Sequence, residues 1–174
     1  MSAPAQMPYF IRPSRNMPPE EKRQAYRQAE AELDALLQGE EDRVLKMASI
    51  NGVLKSHLTH FYWVGFYRVS GERRLSVGPY QGTLGCLHID FGRGVCGRAA
   101  RERKVQIVPD THALQEGTEH IACDPNSRSE IVLPVLGPDG ELIAVFDVDS
   151  SELGSFDEID RESLERILTK HFAG

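Results

Sequence analysis

The chain has fewer basic than acidic residues, and it has no long apolar run. The 174 residues contain 20 lysines and arginines against 26 aspartates and glutamates, which gives a formal net charge of −6. Nucleic acids and anionic membranes bind clusters of basic side chains, so we expect neither as a partner. No stretch approaches the roughly 20 apolar residues of a membrane helix, and no secretion signal opens the chain. A cytoplasmic globular protein is therefore expected.

Cysteine is also scarce, with three residues at positions 86, 96 and 123. An odd number of cysteines in a chain without a secretion signal argues against a framework of structural disulfides. Buried thiols, a metal site or redox chemistry remain. Structural zinc sites bring closely spaced cysteine pairs, and the chain has only the weak motif His120-x-x-Cys123. We therefore expect no metal and no cofactor.

The predicted elements place helices at both ends of a hairpin-rich chain. A proline-rich extension of residues 1–19 precedes a domain that spans residues 20–174. We predict an α+β fold with a central antiparallel sheet, and with the helices from both chain ends packed on one face. The predicted helices cover residues 18–38, 41–58 and 94–103, and the last one starts at a capping box of Ser155 and Glu158. The predicted strands cover residues 61–69, 74–80, 87–91, 105–110, 130–136 and 141–150.

Apolar periodicity predicts the buried face of the first two helices. The first helix is expected to bury Ala25, Ala29, Leu33 and Leu36. The second is expected to bury Val44, Leu45, Ala48 and Leu54.

Two acidic residues end the last predicted strand. Side chains alternate between the faces of a strand, so Ile143, Val145, Asp147 and Asp149 should share one face. Two like charges on a half-buried face are costly unless a cation lies between them or one of them takes up a proton. The alternative is a strand that ends in solvent. Glu130 stands at the head of the preceding strand.

Aromatic side chains mark the same region of the first predicted strand. Trp63, Gly65 and Tyr67 share a face, and the glycine leaves a notch between two large rings where a ligand could lie. Packing in the core is the alternative. Aromatic faces and carboxylates both attract ammonium groups, and a carboxylate with a raised pKa can donate a proton. The pattern suits a small amino compound such as a free amino acid.

Two of the cysteines lie in segments that favour reactivity. Cys123 belongs to HIACDPNSRSE (120–130), a polar, turn-prone stretch within a long predicted loop. Cys96 follows the glycine-rich turn FGRGVCG (91–97), near the start of a helix whose dipole would favour a thiolate. The literal G-x-G-x-x-G of that turn does not follow a buried parallel strand, so nucleotide binding is not expected.

The combination of motifs resembles the free methionine-(R)-sulfoxide reductases, which are small enzymes built on the GAF domain. The resemblance covers about residues 20–170 and includes the spacing Cys-x₉-Cys. It is carried by WVGFY (63–67), GRGVCGRAA (92–100), HIACD (120–124), SRSEIVLPV (127–135) and the D-x-D of FDVDS (146–150).

The resemblance implies a thiol mechanism. Cys123 would attack the sulfoxide and become a sulfenic acid, and a second thiol would form a disulfide that a thioredoxin-like dithiol reduces. Cys86 is the expected resolving thiol and Cys96 the other candidate, and the roles of Cys123 and Cys96 could be exchanged. The resemblance also assigns Trp63 and Tyr67 to the wall of the pocket. The carboxylates carried over as substrate-binding and acid groups are Glu130, Asp147 and Asp149.

Other classes stay open on the sequence alone. A non-catalytic GAF domain could bind a small ligand as a sensor, and a redox sensor could switch a partner through its disulfide. Formation of a homodimer is open as well.

Overall fold

A six-stranded antiparallel sheet forms the centre of the computed structural model, which describes residues 11–114 and 124–174. The strand order is β3-β2-β1-β6-β5-β4, and every neighbouring pair is antiparallel. The strands are β1 (Trp63–Gly71), β2 (Arg74–Gln81), β3 (His88–Asp90), β4 (Gln106–Val108), β5 (Ser129–Leu136) and β6 (Leu142–Ser150). The α+β prediction is confirmed.

Three long helices from the two chain ends cover one face of this sheet, also as predicted. Phe66, Phe146 and Ile131 point from the sheet into the core that these helices close. The shorter α3 lies against β5 and β6 with a second apolar cluster. The helices are α1 (Pro19–Leu36), α2 (Arg43–His57), α3 (Gly94–Glu102) and α4 (Glu158–Leu168). No helix in the described part of the chain is both long and apolar enough to cross a membrane.

The predicted buried face of α2 is wrong at three of its four positions. Val44 and Leu45 are 59% and 42% exposed, and Ala48 is exposed as well. Leu54 is buried as predicted, and Met47 and Ile50 are buried with it. Apolar residues surround most of this helix, so its periodicity does not single out one face. On α1 the predicted Ala25, Ala29 and Leu33 are buried, but Leu36 is exposed and Leu37, just beyond the helix, takes its place.

The predicted capping box of α4 is also displaced. The side chain of Asp157 accepts hydrogen bonds from Ile159 N and Asp160 N, and Asp160 caps Asp157 N in return. Ser155 is buried instead, and its Oγ donates to Ser150 Oγ at 2.6 Å.

Asp160 also joins the two ends of the chain. It is fully buried and accepts hydrogen bonds from Lys22 Nζ at 2.7 Å, Tyr26 Oη at 2.7 Å and His60 Nε2 at 2.8 Å. Burial alone would raise the pKa of Asp160, but His60 and Lys22 outweigh it and hold the pKa below its ordinary value. This ionic cluster fixes α1 against α4.

Candidate active site

A cleft opens on the α3 side of the sheet. Strands β1, β5 and β6 form its floor, and the first turn of α3 and the loop 82–87 form its walls. Seven of the eight residues that the sequence predicts for the site line this cleft: Trp63, Tyr67, Cys86, Cys96, Glu130, Asp147 and Asp149. The eighth, Cys123, lies outside the described residues.

Strand register brings the three carboxylates together. Asp149 pairs with Trp63 on one side and Glu130 on the other, and Asp147 pairs with Gly65 one step along the same face. Glu130 and Asp147 are each 5% exposed, so the interpretation that β6 runs out into solvent at Asp147 is wrong. Ser127 Oγ donates a hydrogen bond to Asp149 Oδ1.

The face of β6 is shorter than predicted. Val145 packs on the cleft side with Asp147, but Ile143 packs against the core on the helix side. The pairing of β5 and β6 has an irregularity between Val135 and Leu136, and this shift separates the two residues.

The pKa values of Asp147 and Asp149 are both raised. Burial raises the pKa of Asp147 well above its ordinary value, and the charges of Asp149 and Glu130 add to it. Burial and the charge of Glu130 do the same for the pKa of Asp149, against a hydrogen bond from Ser127. Buried like charges are costly without a cation, so this cluster binds either protons or a positively charged ligand.

The residues that line the cleft also favour a positively charged ligand. Among the described residues that line the cleft, Asp124 joins the three carboxylates and Arg93 is the one basic residue. Asp147 Oδ1 is buried and has no hydrogen-bond partner. The cleft therefore offers an unused acceptor in a negative field.

Stacked rings form the aromatic wall. The Trp63 ring lies 5.7 Å from Tyr67 and 5.2 Å from Tyr80, at 17° in both pairs. The notch predicted at Gly65 exists, but Trp63 fills it, because a Cβ at Gly65 would lie 2.8 Å from Cη2 of that ring. Trp63 Nε1 donates to Thr83 O at 2.9 Å, so the ring also supports the loop 82–87.

The two cysteines in the described part of the chain occupy different environments. Cys86 is half-buried in the loop 82–87 and is disulfide-bonded. Cys96 is a buried free thiol. The prediction of a thiolate at Cys96 is wrong, because burial and the charges of Asp147 and Glu130 raise the pKa of this thiol well above its ordinary value.

The same cluster bears on metal binding. Cys96, Glu130 and Asp147 present donor atoms that all lie within 4.8 Å of one another, which is close enough to share an ion. A metal needs deprotonated ligands, and the raised pKa values of Cys96 and Asp147 oppose that. We interpret the group as a protonated thiol that donates to a carboxylate.

Sequence reasoning missed Asp124 and its two donors. Asp124 Oδ2 accepts hydrogen bonds from Tyr62 Oη at 2.6 Å and from Thr83 Oγ1 at 2.7 Å. Its Oδ1 caps Asn126 N at 2.9 Å. Burial and Asp124 raise the pKa of Tyr62 to about 12, so the phenol stays a donor. The signal in the sequence was the DPNS turn that directly follows Cys123.

Comparison with known proteins shows close relatives. The GAF domain family model matches residues 51–170. The chain is 44% identical over 147 residues to GAF domain-containing protein A of Dictyostelium discoideum, covering 84% of this chain and 90% of that protein. It is 36% identical over 149 residues to the free methionine-R-sulfoxide reductase of Escherichia coli, covering 86% and 87%.

A solved structure is similar over nearly the whole chain. The free methionine-R-sulfoxide reductase of Neisseria meningitidis, crystallised with its substrate, is 38% identical and superposes with a TM-score of 0.79. The match covers 93% of this chain and 94% of that one.

Proposed function

We propose, on the premise that the chain belongs to the free methionine-R-sulfoxide reductases of the GAF-domain family, that it reduces free L-methionine-(R)-sulfoxide to L-methionine. The reaction proceeds through a cysteine sulfenic acid and a disulfide. The observation that carries the proposal is the cluster of buried Glu130, buried Asp147 and half-buried Asp149 in the cleft that Cys86 and Cys96 also line. A substrate with a free ammonium relieves the repulsion in this cluster.

Recognition of the free amino acid follows from this electrostatics. The ammonium is held by Asp147 and Asp149, which lose their protons when the cation arrives. A methionine residue inside a protein has no such ammonium, so its binding would leave the carboxylates unpaired. The rings of Trp63 and Tyr67 pack against the side chain of the substrate.

Cys123 is the proposed nucleophile. Its sulfur takes the oxygen from the sulfoxide, so that free methionine leaves and Cys123 becomes a sulfenic acid. The acid cluster supplies the proton that assists this transfer, and Glu130 delivers it, because Glu130 heads the strand that follows the Cys123 loop. The high pKa of Cys96 supports the choice of Cys123 over Cys96 as the attacking thiol.

Cys86 is the proposed resolving thiol. Its sulfur attacks the sulfenic sulfur of Cys123, a disulfide forms, and the oxygen leaves as water. A thioredoxin-like dithiol then reduces the disulfide, in a cytoplasmic compartment that keeps thiols reduced. The half-buried position of Cys86 at the cleft wall supports this role.

Single-turnover chemistry of the three Cys→Ser variants tests the proposal. Reduced wild type should release methionine and form a disulfide that is visible by mass spectrometry. Cys123→Ser should release none, because serine is a far weaker nucleophile than a thiolate. Cys86→Ser should release one equivalent and then fail to cycle with thioredoxin.

Two outcomes would count against it. If wild type releases no methionine, the proposed function is wrong. If Cys123→Ser keeps the first turnover and Cys96→Ser loses it, the nucleophile is Cys96.

A further inference from the structure

Apart from Cys86 itself, which packs against the second apolar cluster, the side chains of the loop 82–87 make few contacts with the core. Leu84 and Leu87 on this loop are 73% and 61% exposed, so neither fastens it to the core. Gly82 and Gly85 lie flat on the Trp63 ring, with a Cβ at either position coming within 3.0 Å of that ring. Van der Waals contacts between the backbone and a ring are individually weak and have no preferred direction, so the polar contacts of the loop must hold its position.

Leu87 O accepts a hydrogen bond from Val77 N at the end of the loop, and the hydrogen bonds from side chains that are described for the loop converge on Thr83. Its carbonyl accepts a hydrogen bond from Trp63 Nε1, and its hydroxyl donates to Asp124 Oδ2. Thr83 stands three residues before Cys86, and Asp124 is the residue that follows Cys123 in the sequence. One carboxylate therefore connects the loop of one thiol to the chain segment of the other.

Asp124 is itself held rigidly. Tyr62 is fully buried at the start of β1, and its hydroxyl donates to the same Oδ2 at 2.6 Å. The other carboxylate oxygen caps the backbone of Asn126. Burial would raise the pKa of Asp124, but the hydrogen bonds from Tyr62 and Thr83 outweigh it and hold the pKa below its ordinary value. The group therefore acts as an ionised acceptor for both hydroxyls.

Resolution of the sulfenic acid is the step that depends on this connection. The sulfenic acid of Cys123 and the thiol of Cys86 give one disulfide and one water, and no outside reactant enters. The rate of such an intramolecular step follows the effective concentration of one group at the other, which falls steeply when either loop loosens.

We propose that Asp124 is a positioning residue for the thiol pair: its carboxylate holds the Cys86 loop, through Thr83, beside the chain segment of Cys123, and so sets the rate of disulfide formation. This inference rests on the proposed function. It assigns Asp124 no contact with substrate and no proton transfer.

The test separates the two chemical steps in Asp124→Asn. The amide keeps the size of the side chain but has one acceptor oxygen in place of two and no charge, so it cannot accept from Tyr62 and Thr83 and also cap Asn126 N. Methionine release in a rapid-quench experiment reports the first step. The decay of a dimedone-trappable sulfenic acid and the growth of the disulfide, both followed by mass spectrometry, report the second.

At saturating substrate, where the charge that Asp124 adds to the cleft no longer limits binding, we expect Asp124→Asn to release methionine within about threefold of the wild-type rate and to form the disulfide roughly 10- to 100-fold more slowly. The disulfide should also become easier to reduce, by about 30 mV for each tenfold loss of effective concentration. Thr83→Val, which removes only the hydroxyl that donates to Asp124, should show the same pattern. A merely structural role would change thermal stability without separating the two rates.

Asp110→Asn is the matched control. Asp110 caps His112 N at the other end of the same long loop, and its side chain is not among those lining the cleft. It should resolve the sulfenic acid at the wild-type rate.

The possible outcomes distinguish failure of the proposed function from failure of the inference about Asp124. If wild type releases no methionine, the proposed function fails and this inference fails with it. If wild type turns over but Asp124→Asn and Thr83→Val form the disulfide at the wild-type rate, only the inference about Asp124 is overturned. Equal slowing of both steps would also overturn it, since Asp124 would then act on the attack. If Asp124→Asn does not fold, Thr83→Val decides alone.

Discussion

Replacing Asp147 by asparagine should make the protein bind its substrate more weakly and resist unfolding more strongly. Asp147 is 5% exposed, its Oδ1 has no partner, and its pKa is raised by burial and by two neighbouring carboxylates. Asparagine keeps the shape and removes the charge. The opposite signs of the two effects are characteristic of a group kept for its ligand rather than for the fold.

The two magnitudes follow from the environment of the side chain. Loss of a desolvated carboxylate that holds an ammonium should cost about 2–4 kcal/mol of binding, roughly 30- to 1000-fold in affinity. Removal of a buried acid that lies beside two other carboxylates should raise the free energy of unfolding by roughly 1–2 kcal/mol near pH 8. For a domain of this size that corresponds to a rise of about 2–8 °C in Tm.

The sign of the pH dependence is fixed by the direction of the pKa shift. A pKa that is higher in the folded state means that the folded state binds more protons, so its stability falls as pH rises. The loss begins near the ordinary carboxyl pKa of about 3.9 and continues through the raised folded pKa. The stability advantage of Asp147→Asn over wild type should therefore be small near pH 4 and grow toward pH 8.

Two assays check this prediction. Calorimetric titration of free methionine-(R)-sulfoxide in the Cys123→Ser background gives the affinity without turnover. Urea unfolding at several pH values gives the stability. Asp139→Asn, an exposed change in the turn between β5 and β6, is the control for both assays. Unchanged affinity together with unchanged or lower stability at pH 8 would refute the reasoning.

Three other predictions concern the surroundings of the cleft. Asp160→Asn should lower the free energy of unfolding by about 3–5 kcal/mol in urea, because buried Lys22 loses its nearer carboxylate and keeps only Asp157 at 3.4 Å. Since the folded pKa of Asp160 is depressed, this contribution in wild type should begin to fall below about pH 4 and should continue to fall toward the folded pKa. Gly82→Ala should cost roughly 1–3 kcal/mol in the same assay and reduce turnover, because φ is +140° and a Cβ would lie 2.5 Å from Cδ1 of Trp63. Cys96→Ser should retain one stoichiometric release of methionine in a single-turnover assay, because the Cys96 thiol is protonated at neutral pH.

Much of the cleft was predictable because its floor is a sheet. Alternation along β6 placed Asp147 and Asp149 on one face, and alternation along β1 placed Trp63 and Tyr67 on the same side. Strand register then brings the acidic and aromatic residues into one site, because β6 pairs with both β1 and β5. The place of Glu130 in this group was implied by the family resemblance, and the pairing of Glu130 with Asp149 confirms it.

The errors arose where tertiary contacts decide the outcome. The helix dipole favours a thiolate at Cys96, but burial and the charges of Asp147 and Glu130, which are distant in the sequence, raise the pKa of the thiol. Similarly, the hydrogen bonds of Asp124 come from Tyr62 and Thr83, which lie about 40 to 60 residues away in the chain. Local pattern carries no information about such partners.

The most direct test of the central claim is the rate of methionine formation from three substrates: free methionine-(R)-sulfoxide, its S epimer and N-acetyl-methionine-(R)-sulfoxide. With a dithiol reductant, the first should be reduced, the S epimer should be left nearly untouched, and acetylation should lower kcat/KM by at least ~30-fold, because it removes the ammonium that the carboxylates hold. Comparable kcat/KM values for the free and the acetylated substrate would contradict the account.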